Sequence, residues 1–244
     1  MRLALVSDIH GNLPALEAVE ADLRARAVDA VVNLGDSLSG PLLPGETARR
    51  LMATGWVHLA GNHERQLLGE PGRMGPSDAH ARARLGEEEL AWIAGLSPSV
   101  AYAPDVLLCH GTPASDLVYL LETVERAGIR AATAAEVEAR LGEVTAGLVA
   151  CGHSHVPRAV RARRGALVVN PGSVGLPAYD DGNPFPHVVE NGSPDARYAI
   201  VERLERGWRA ELVSVPYDHA AMAALARRNG REDWARALAT GYVG

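Results

Sequence analysis

The sequence contains no lysine; all 24 of its basic residues are arginine, set against 30 acidic residues, for a net charge of −6. A chain of this balance carries no global positive field to draw in nucleic acid or an anionic membrane. The expectation is therefore no membrane partner and no nucleic-acid partner, unless arginines gather locally into a track. Aromatic residues are also few, at 5%, and no ladder for stacking bases stands out. Cysteine is limited to Cys109 and Cys151, too few for a disulfide framework. Each ends an apolar run, which reads as a buried, reduced thiol. No apolar run approaches the roughly 20 residues of a membrane span. The first residues show no basic region followed by a long apolar stretch, so no secretory signal is expected and the cytoplasm is the expected compartment. Asn191-Gly192-Ser193 fits a glycosylation sequon but in that context reads as a turn. A single glutamine hints at heat tolerance, without the lysine enrichment common in hyperthermophiles.

What is present is a chain of 244 residues, long enough for a sizeable core. It has no internal repeat, linker or low-complexity tract, so one domain over residues 1–244 is expected. Apolar runs at Leu3–Val6, Ala30–Leu34 and Trp56–Ala60 read as strands. The segments between them, Leu13–Ala27 and Glu46–Thr54, read as helices. Asn12 stands as N-cap of the first, with Pro14 in its first turn. This β-α-β-α-β alternation predicts a parallel sheet covered by helices. Glu70–Ser77 reads as a loop, then Asp78–Leu85 and Glu87–Leu96 as helices. Val106–Leu108 and Leu148–Ala150 read as further strands, with a hairpin through Arg163-Arg164-Gly165 into Ala166–Val169. Residues 115–142 are helix-prone and could cover a site. Gly175–Pro194 reads as a long loop of the kind that is often functional. Tyr198–Glu202 and Trp208–Val215 read as an antiparallel pair, and Asp218–Arg228 and Arg231–Ala239 as closing helices.

The informative feature lies at the strand ends. Five apolar strands each end in a group able to bind metal: Asp8 and His10, Asp36, Asn62 and His63, His110, and His153 and His155. Singly, each would read as a cap or turn residue. In an open α/β sheet, however, sites form beyond the carboxyl ends of the strands, so this spacing gathers two carboxylates, an amide and several imidazoles along one edge. If Ser7–Asn12 is extended, Asp8 and His10 point the same way. Carboxylates and imidazoles clustered and buried in this manner need a cation or partners. Mixed oxygen and imidazole donors without a thiolate suit manganese, iron or zinc.

The series Asp8-Ile9-His10, Gly35-Asp36, Gly61-Asn62-His63-Glu64, His110-Gly111 and Gly152-His153-Ser154-His155 resembles the calcineurin-like metallophosphoesterase superfamily, and within it the small bacterial and archaeal phosphodiesterases. Ser7–Asn12, Asn170-Pro171-Gly172-Ser173-Val174-Gly175 and Val215-Pro216-Tyr217-Asp218 extend the resemblance to nearly the whole chain. It implies an α/β fold of two packed mixed sheets flanked by helices, a four-layer αββα sandwich. It also implies two divalent ions per chain, manganese first, with iron, zinc, nickel or magnesium as alternatives. By this similarity Asp8, His10, Asp36 and His155 would hold one ion. Asp36, Asn62, His110 and His153 would hold the other, Asp36 bridging. His63 would stand beside the phosphate as the catalytic residue without ligating metal. The implied function is hydrolysis of a small phosphodiester by a hydroxide bridging the two ions.

Two departures bear on the substrate. Protein Ser/Thr phosphatases of this superfamily, and the symmetrical dinucleoside-tetraphosphate hydrolases resembling them, carry a phosphate-holding arginine shortly after the Gly-Asp motif; here the motif leads into Ser37-Leu38-Ser39-Gly40. Glu64 resembles those phosphatases, whereas many small phosphodiesterases have aspartate there. The alternatives are thus a phosphomonoesterase acting on nucleotides or proteins, or a metal-holding scaffold like the retromer subunit of this fold, which lost a key histidine. The partner expected is a small phosphoester substrate. The leaving group is expected to meet loops 37–45, 64–85, 112–130 and 175–190, with Arg158, Tyr179 and His187 as candidates.

Overall fold

A computed structural model describes residues 1–244. In chain order the elements are β1 (Arg2–Val6), α1 (Leu13–Leu23), β2 (Ala30–Asn33), α2 (Pro44–Met52), β3 (Val57–His58), α3 (Asn62–Leu67), α4 (Pro76–Arg82), α5 (Glu87–Ala94), β4 (Ser99–Ala103), β5 (Val106–Cys109), β6 (Glu122–Glu125), β7 (Gly128–Ala131), α6 (Ala134–Leu141), β8 (Leu148–Ala150), β9 (Arg158–Arg161), β10 (Leu167–Asn170), β11 (Ala178–Asp181), β12 (His187–Glu190), β13 (Ala196–Leu204), β14 (Gly207–Val215), α7 (His219–Arg228) and α8 (Glu232–Thr240).

Two five-stranded sheets form the centre, in the orders β14-β13-β1-β2-β3 and β4-β5-β8-β10-β9. Both are mixed. β1, β2 and β3 run parallel, with β13 antiparallel to β1. β5, β8 and β10 run parallel, flanked by antiparallel β4 and β9. The sheets stack because alternate side chains of a strand point to opposite faces. Leu3 and Leu5 of β1 join Val32, Leu59, Val106, Leu108, Leu148, Ala150 and Val169 in the core between the sheets. Ala4 and Val6 face the other way, onto Leu16 and Val19 of α1 and Ala48 and Leu51 of α2. The outer face of the second sheet packs Val149 and Val168 against Val137 and Leu141 of α6. The result is the α-β-β-α stack that the resemblance implied. Each fully buried aliphatic side chain in these layers is worth about 1.5–3 kcal/mol of transfer free energy.

The parallel reading holds for β1, β2 and β3, and the carboxyl-terminal pair β13–β14 extends that sheet antiparallel, giving the expected mixed sheet. Several sequence expectations need correction. α1 stops at Leu23, four residues early, and Ala27 has a positive φ that no helix interior accepts. β4 was not anticipated. Residues 115–142 are not mainly helical: they hold the hairpin β6–β7, and only Ala134–Leu141 is helix. Glu122-Thr123-Val124-Glu125 has β-branched residues at its centre, and Gly128 has the positive φ of a turn. Within Gly175–Pro194, β11 and β12 pair as a second hairpin. Both hairpins stand apart from the two main sheets, so no long hydrophobic face marks them in the sequence. No helix is long and apolar enough to cross a membrane.

Candidate metal centre

The strand-end residues meet where the carboxyl ends of the parallel strands of both sheets come together. Two groups of potential ligand atoms result, each within 4.8 Å: Asp8, His10 and His155, and Asp36, His110 and His153. Each group draws on both sheets, since Asp8, His10 and Asp36 follow β1 and β2 while His110, His153 and His155 follow β5 and β8. Asn62 opens α3 beside the second group, and its side-chain oxygen is buried with no partner. Asp36 falls in the second group alone.

The side chains do not converge by strand alternation, as an extended Ser7–Asn12 would require. Six non-glycine residues in the chain have positive φ, and five are Asp8, His10, Asp36, His153 and His155. Left-handed backbone costs an ordinary residue free energy and persists only where its surroundings fix it. Those surroundings are loops bound to one another: Asp8 N–H donates to Gly35 O (2.9 Å), His10 N–H to Asp36 O (3.1 Å), and Gly152 N–H to His110 O (2.7 Å). Asn170 donates from Nδ2 to Gly152 O (2.7 Å), and Ser173 from Oγ to Asp8 O (2.7 Å). Two glycines allow the contact. A Cβ on Gly175 would lie 1.7 Å from Ile9 O, and one on Gly61 would lie 2.2 Å from Asp36 Oδ1.

Glu64 clamps the same corner. Its buried carboxylate accepts from the backbone N–H groups of Asp36, Ser37 and Gly61, each at 2.8 Å. It thus holds the β2 loop to the start of α3.

The imidazoles are fixed for ligation. Nδ1 of His10 donates to Ser39 O (2.7 Å), Nδ1 of His155 to Leu176 O (2.8 Å), and Nδ1 of His110 to Leu34 O (2.9 Å). A carbonyl only accepts, so Nδ1 carries the proton and, in the neutral rings, Nε2 presents a lone pair. His10 Nε2 and His155 Nε2 then face each other at 3.1 Å, with Asp8 Oδ1 3.3 Å from His155 Nε2. His110 Nε2 lies 3.0 Å from Asp36 Oδ2, out of line for a hydrogen bond. Asp8 Oδ1 and His110 Nε2 have no hydrogen-bond partner although both are buried. Imidazole and carboxylate donor atoms crowded together in a buried site fit a shared cation.

The charges of these groups are strongly coupled. Burial pushes the Asp8 carboxyl up, but the imidazoles of His155 and His110 outweigh it and hold it at about 2. Burial and the His155 ring take His10 down to about 3. Burial also disfavours charge on His110, yet the Asp36 carboxylate overrides it and lifts that ring to about 10. The two cysteines take no part: both are free, buried in the outer core, and pushed upward by burial, Cys109 to about 12.

His63 stands beside the first group, its ring centroid 5.5 Å from that of His10. Its Nδ1 pairs with Asp78 Oδ1 at 2.8 Å, and its backbone N–H donates to Asp36 Oδ1 at 2.9 Å. Burial lowers the His63 imidazole, but Asp36 and Asp78 raise it, to about 9. Sequence reasoning missed Asp78. It sits in the first turn of α4, where an acidic residue is ordinary, and nothing local marks its burial.

Over these groups lies a cavity of about 840 Å³. Its walls come from the stretch before β6, from β11 and from α8, including Tyr119, Tyr179 and Trp234. The loops expected to meet a leaving group do line it, and Arg140 of α6 falls within the 115–142 stretch expected to cover the site; α8 was not anticipated. Of the three candidates, Tyr179 lines the cavity, while His187 stands behind it on Tyr119 and Arg158 pairs with Glu122.

Residues 1–189 match the calcineurin-like phosphoesterase superfamily domain. An uncharacterized protein of Methanocaldococcus jannaschii is 25% identical, with 88% of each chain covered. Among solved structures, a metallophosphoesterase from Sphaerobacter thermophilus superposes with a TM-score of 0.77 at 25% identity, covering 99% of each chain. A hypothetical protein from Pyrococcus horikoshii shares the fold with a TM-score of 0.75 at 16% identity, covering 100% of this chain and 98% of its own.

Proposed function

Because the chain belongs to the calcineurin-like phosphoesterase superfamily, we propose that it is a hydrolase of small phosphodiesters that works with two divalent ions. Asp8, His10 and His155 would hold one ion; Asn62, His110 and His153 would hold the other, with Asp36 shared between them. The observation that carries this reading is the facing set of buried ligand atoms, above all His10 Nε2 and His155 Nε2 at 3.1 Å with Asp8 Oδ1 alongside. Oxygen and imidazole donors without thiolate favour manganese, then iron or zinc. When bound, the ions supply Lewis acidity and neutralise charge on the phosphoryl oxygens.

The protein's own part is acid catalysis and enclosure. Asp78 occupies His63 Nδ1, so Nε2 is the nitrogen left for the substrate. As water oxygen bonds to phosphorus and releases a proton to solvent, the bond to the leaving alcohol breaks and His63 Nε2–H gives its proton to the leaving oxygen, to be reprotonated from solvent afterwards. Support for a diester over a monoester comes from the cavity. It has room for two ester arms, and its arginines are engaged elsewhere. Arg231 pairs with Asp233 and Ser77, and Arg140 binds the carbonyls of Leu120 and Glu122. No arginine comes shortly after Asp36 to grip a dianion.

The test is metal analysis of the purified protein together with turnover of aryl phosphodiesters, aryl phosphomonoesters and phosphopeptides in manganese, iron, zinc, nickel and magnesium. Two ions per chain and the highest specificity constant on diesters are expected. Phosphopeptides as the better substrate would replace this reading with a protein phosphatase. Bound metal with no turnover on the whole panel would replace it with a scaffold.

A further inference from the structure

One wall of the cavity carries a polar string that neither ligation nor acid catalysis uses. Tyr119 Oη lies 2.7 Å from Tyr179 Oη and 3.1 Å from His187 Nε2, and His187 Nδ1 lies 2.9 Å from Phe185 O. Both tyrosines line the cavity. They also back the metal ligands, with the Tyr119 ring 4.8 Å from that of His153 and the Tyr179 ring 4.7 Å from that of His155. Tyr119 comes from the segment before β6, Tyr179 from β11 and His187 from the start of β12.

The direction of every proton in the string is set from its far end. Phe185 O only accepts, so His187 Nδ1 carries the hydrogen and Nε2 of the neutral ring is a lone pair. Tyr119 must then donate to His187. Its oxygen is left to accept, and the donor beside it is the Tyr179 hydroxyl. The one other partner of the Tyr179 hydroxyl is His153 O at 3.5 Å, which also only accepts. Either way the single proton of Tyr179 is directed to the protein, so toward a ligand in the cavity it lines its oxygen can only accept. The same wall continues in acceptors: Asp180 and Asp181 come directly after Tyr179 and line the cavity, as does Glu122. Three of the five N–H groups of Arg140 beside them are taken by Leu120 O, Glu122 O and Thr123 Oγ1.

We infer that Tyr179, set by Tyr119 and His187, is a specificity residue that selects phosphodiesters with a hydroxyl on the arm lying along this wall. A hydroxyl donates to the Tyr179 oxygen; an alkyl arm of the same size leaves that oxygen without a partner. Sites built to bond a substrate hydroxyl discriminate against the analogue that lacks it far more strongly than apolar pockets discriminate by size. This inference rests on the proposed diesterase activity.

The test compares 4-hydroxybutyl 4-nitrophenyl phosphate with pentyl 4-nitrophenyl phosphate on the metal-loaded protein, following nitrophenolate release. Calorimetric binding of 4-hydroxybutyl phosphate and pentyl phosphate runs alongside. The hydroxyl arm should be favoured by about tenfold in kcat/KM and in affinity. Tyr179→Phe, which keeps the ring on His155, should bring both ratios close to one by losing ground on the hydroxyl compounds alone. His187→Leu, which removes the acceptor that aligns the string, should lower the ratios without changing metal content. Ratios near one in the unaltered protein, or ratios that Tyr179→Phe leaves intact, would overturn the inference. Equal losses on both arms would also overturn it, making Tyr179 a packing residue. Hydroxyl-selective binding without turnover of either diester would uphold the tyrosine's role and take down the diesterase reading instead.

Discussion

On the floor of the cavity, side chains are delivered by left-handed residues at the ends of strands that are themselves buried in two cores. Over the floor, the walls come from two short hairpins and the last helix, elements outside the main sheets. The floor gains rigidity from backbone bonds between loops and from Glu64, which accepts three backbone N–H groups. The walls are joined by side chains reaching across sequence: Tyr119 to Tyr179 and His187, Arg140 to Leu120 and Glu122, Arg158 to Glu122. A fixed floor suits chemistry that tolerates little displacement. Walls attached through few side chains suit selection among substrates, where a single contact changes a ratio rather than the reaction.

The sharpest break of this contrast is at Asp36. Replacing it with asparagine removes the anionic ligand assigned to both ions. Turnover should fall to background and metal content below two ions per chain; full occupancy at both sites, measured by elemental analysis, would contradict the shared role.

A smaller loss is expected at His63, which belongs to the floor but to neither ligand group. His63→Gln should keep both ions and the melting temperature while turnover drops by about a hundredfold to ten-thousandfold. The loss should shrink for nitrophenolate, which needs little protonation on leaving. Unchanged turnover on diesters of poor leaving groups would remove His63 from the mechanism.

Asp78 acts only through His63. Asp78→Asn should cost about tenfold to a hundredfold, because a free ring is less well aimed. The double variant should lose no more than His63→Gln alone, since two residues acting as a unit are not additive. Additive losses would mean that Asp78 has a role of its own.

The same contrast decides what the sequence discloses. The floor is legible because each piece is local: an apolar run, then Asp-x-His, Gly-Asp or His-x-His, repeated at five strand ends. What local reading misjudges there is the means. Asp8 and His10 converge by positive φ, not by extension, and the mild preference of Asp and His for that region is too weak to announce it in advance. Asp78 escapes notice because its burial is made by α3 and the cavity, not by its neighbours in sequence. The walls are largely illegible. Glu122–Ala131 reads as part of a helix and Ala178–Glu190 as loop, since four-residue strands paired only with each other leave no apolar face long enough to set a period. Tyr179 and His187 stand out only as loop residues, and the hydroxyl of Tyr119 that links them lies about 60 residues away from each.

The smallest effect is expected where a wall is held without touching chemistry. Arg140 projects from α6 and donates from Nη1 to Leu120 O (3.3 Å) and Glu122 O (2.8 Å), and from Nη2 to Thr123 Oγ1 (2.7 Å). It forms no ion pair, so its removal strands no buried carboxylate, although Leu120 and Glu122, whose carbonyls it binds, are buried. Arg140→Met keeps much of the aliphatic stem and should cost about 1–3 kcal/mol of stability, the scale of buried acceptors left without a donor. Tyr119 lies just ahead of the released carbonyls, so the string to Tyr179 should loosen. KM for the 4-hydroxybutyl diester should rise by about threefold, with kcat changed less than twofold and metal content unchanged. Denaturant unfolding, elemental analysis and steady-state kinetics on one preparation give all three readings. A tenfold fall in kcat, or loss of an ion, would show that floor and walls are one mechanical unit and that the distinction between them fails.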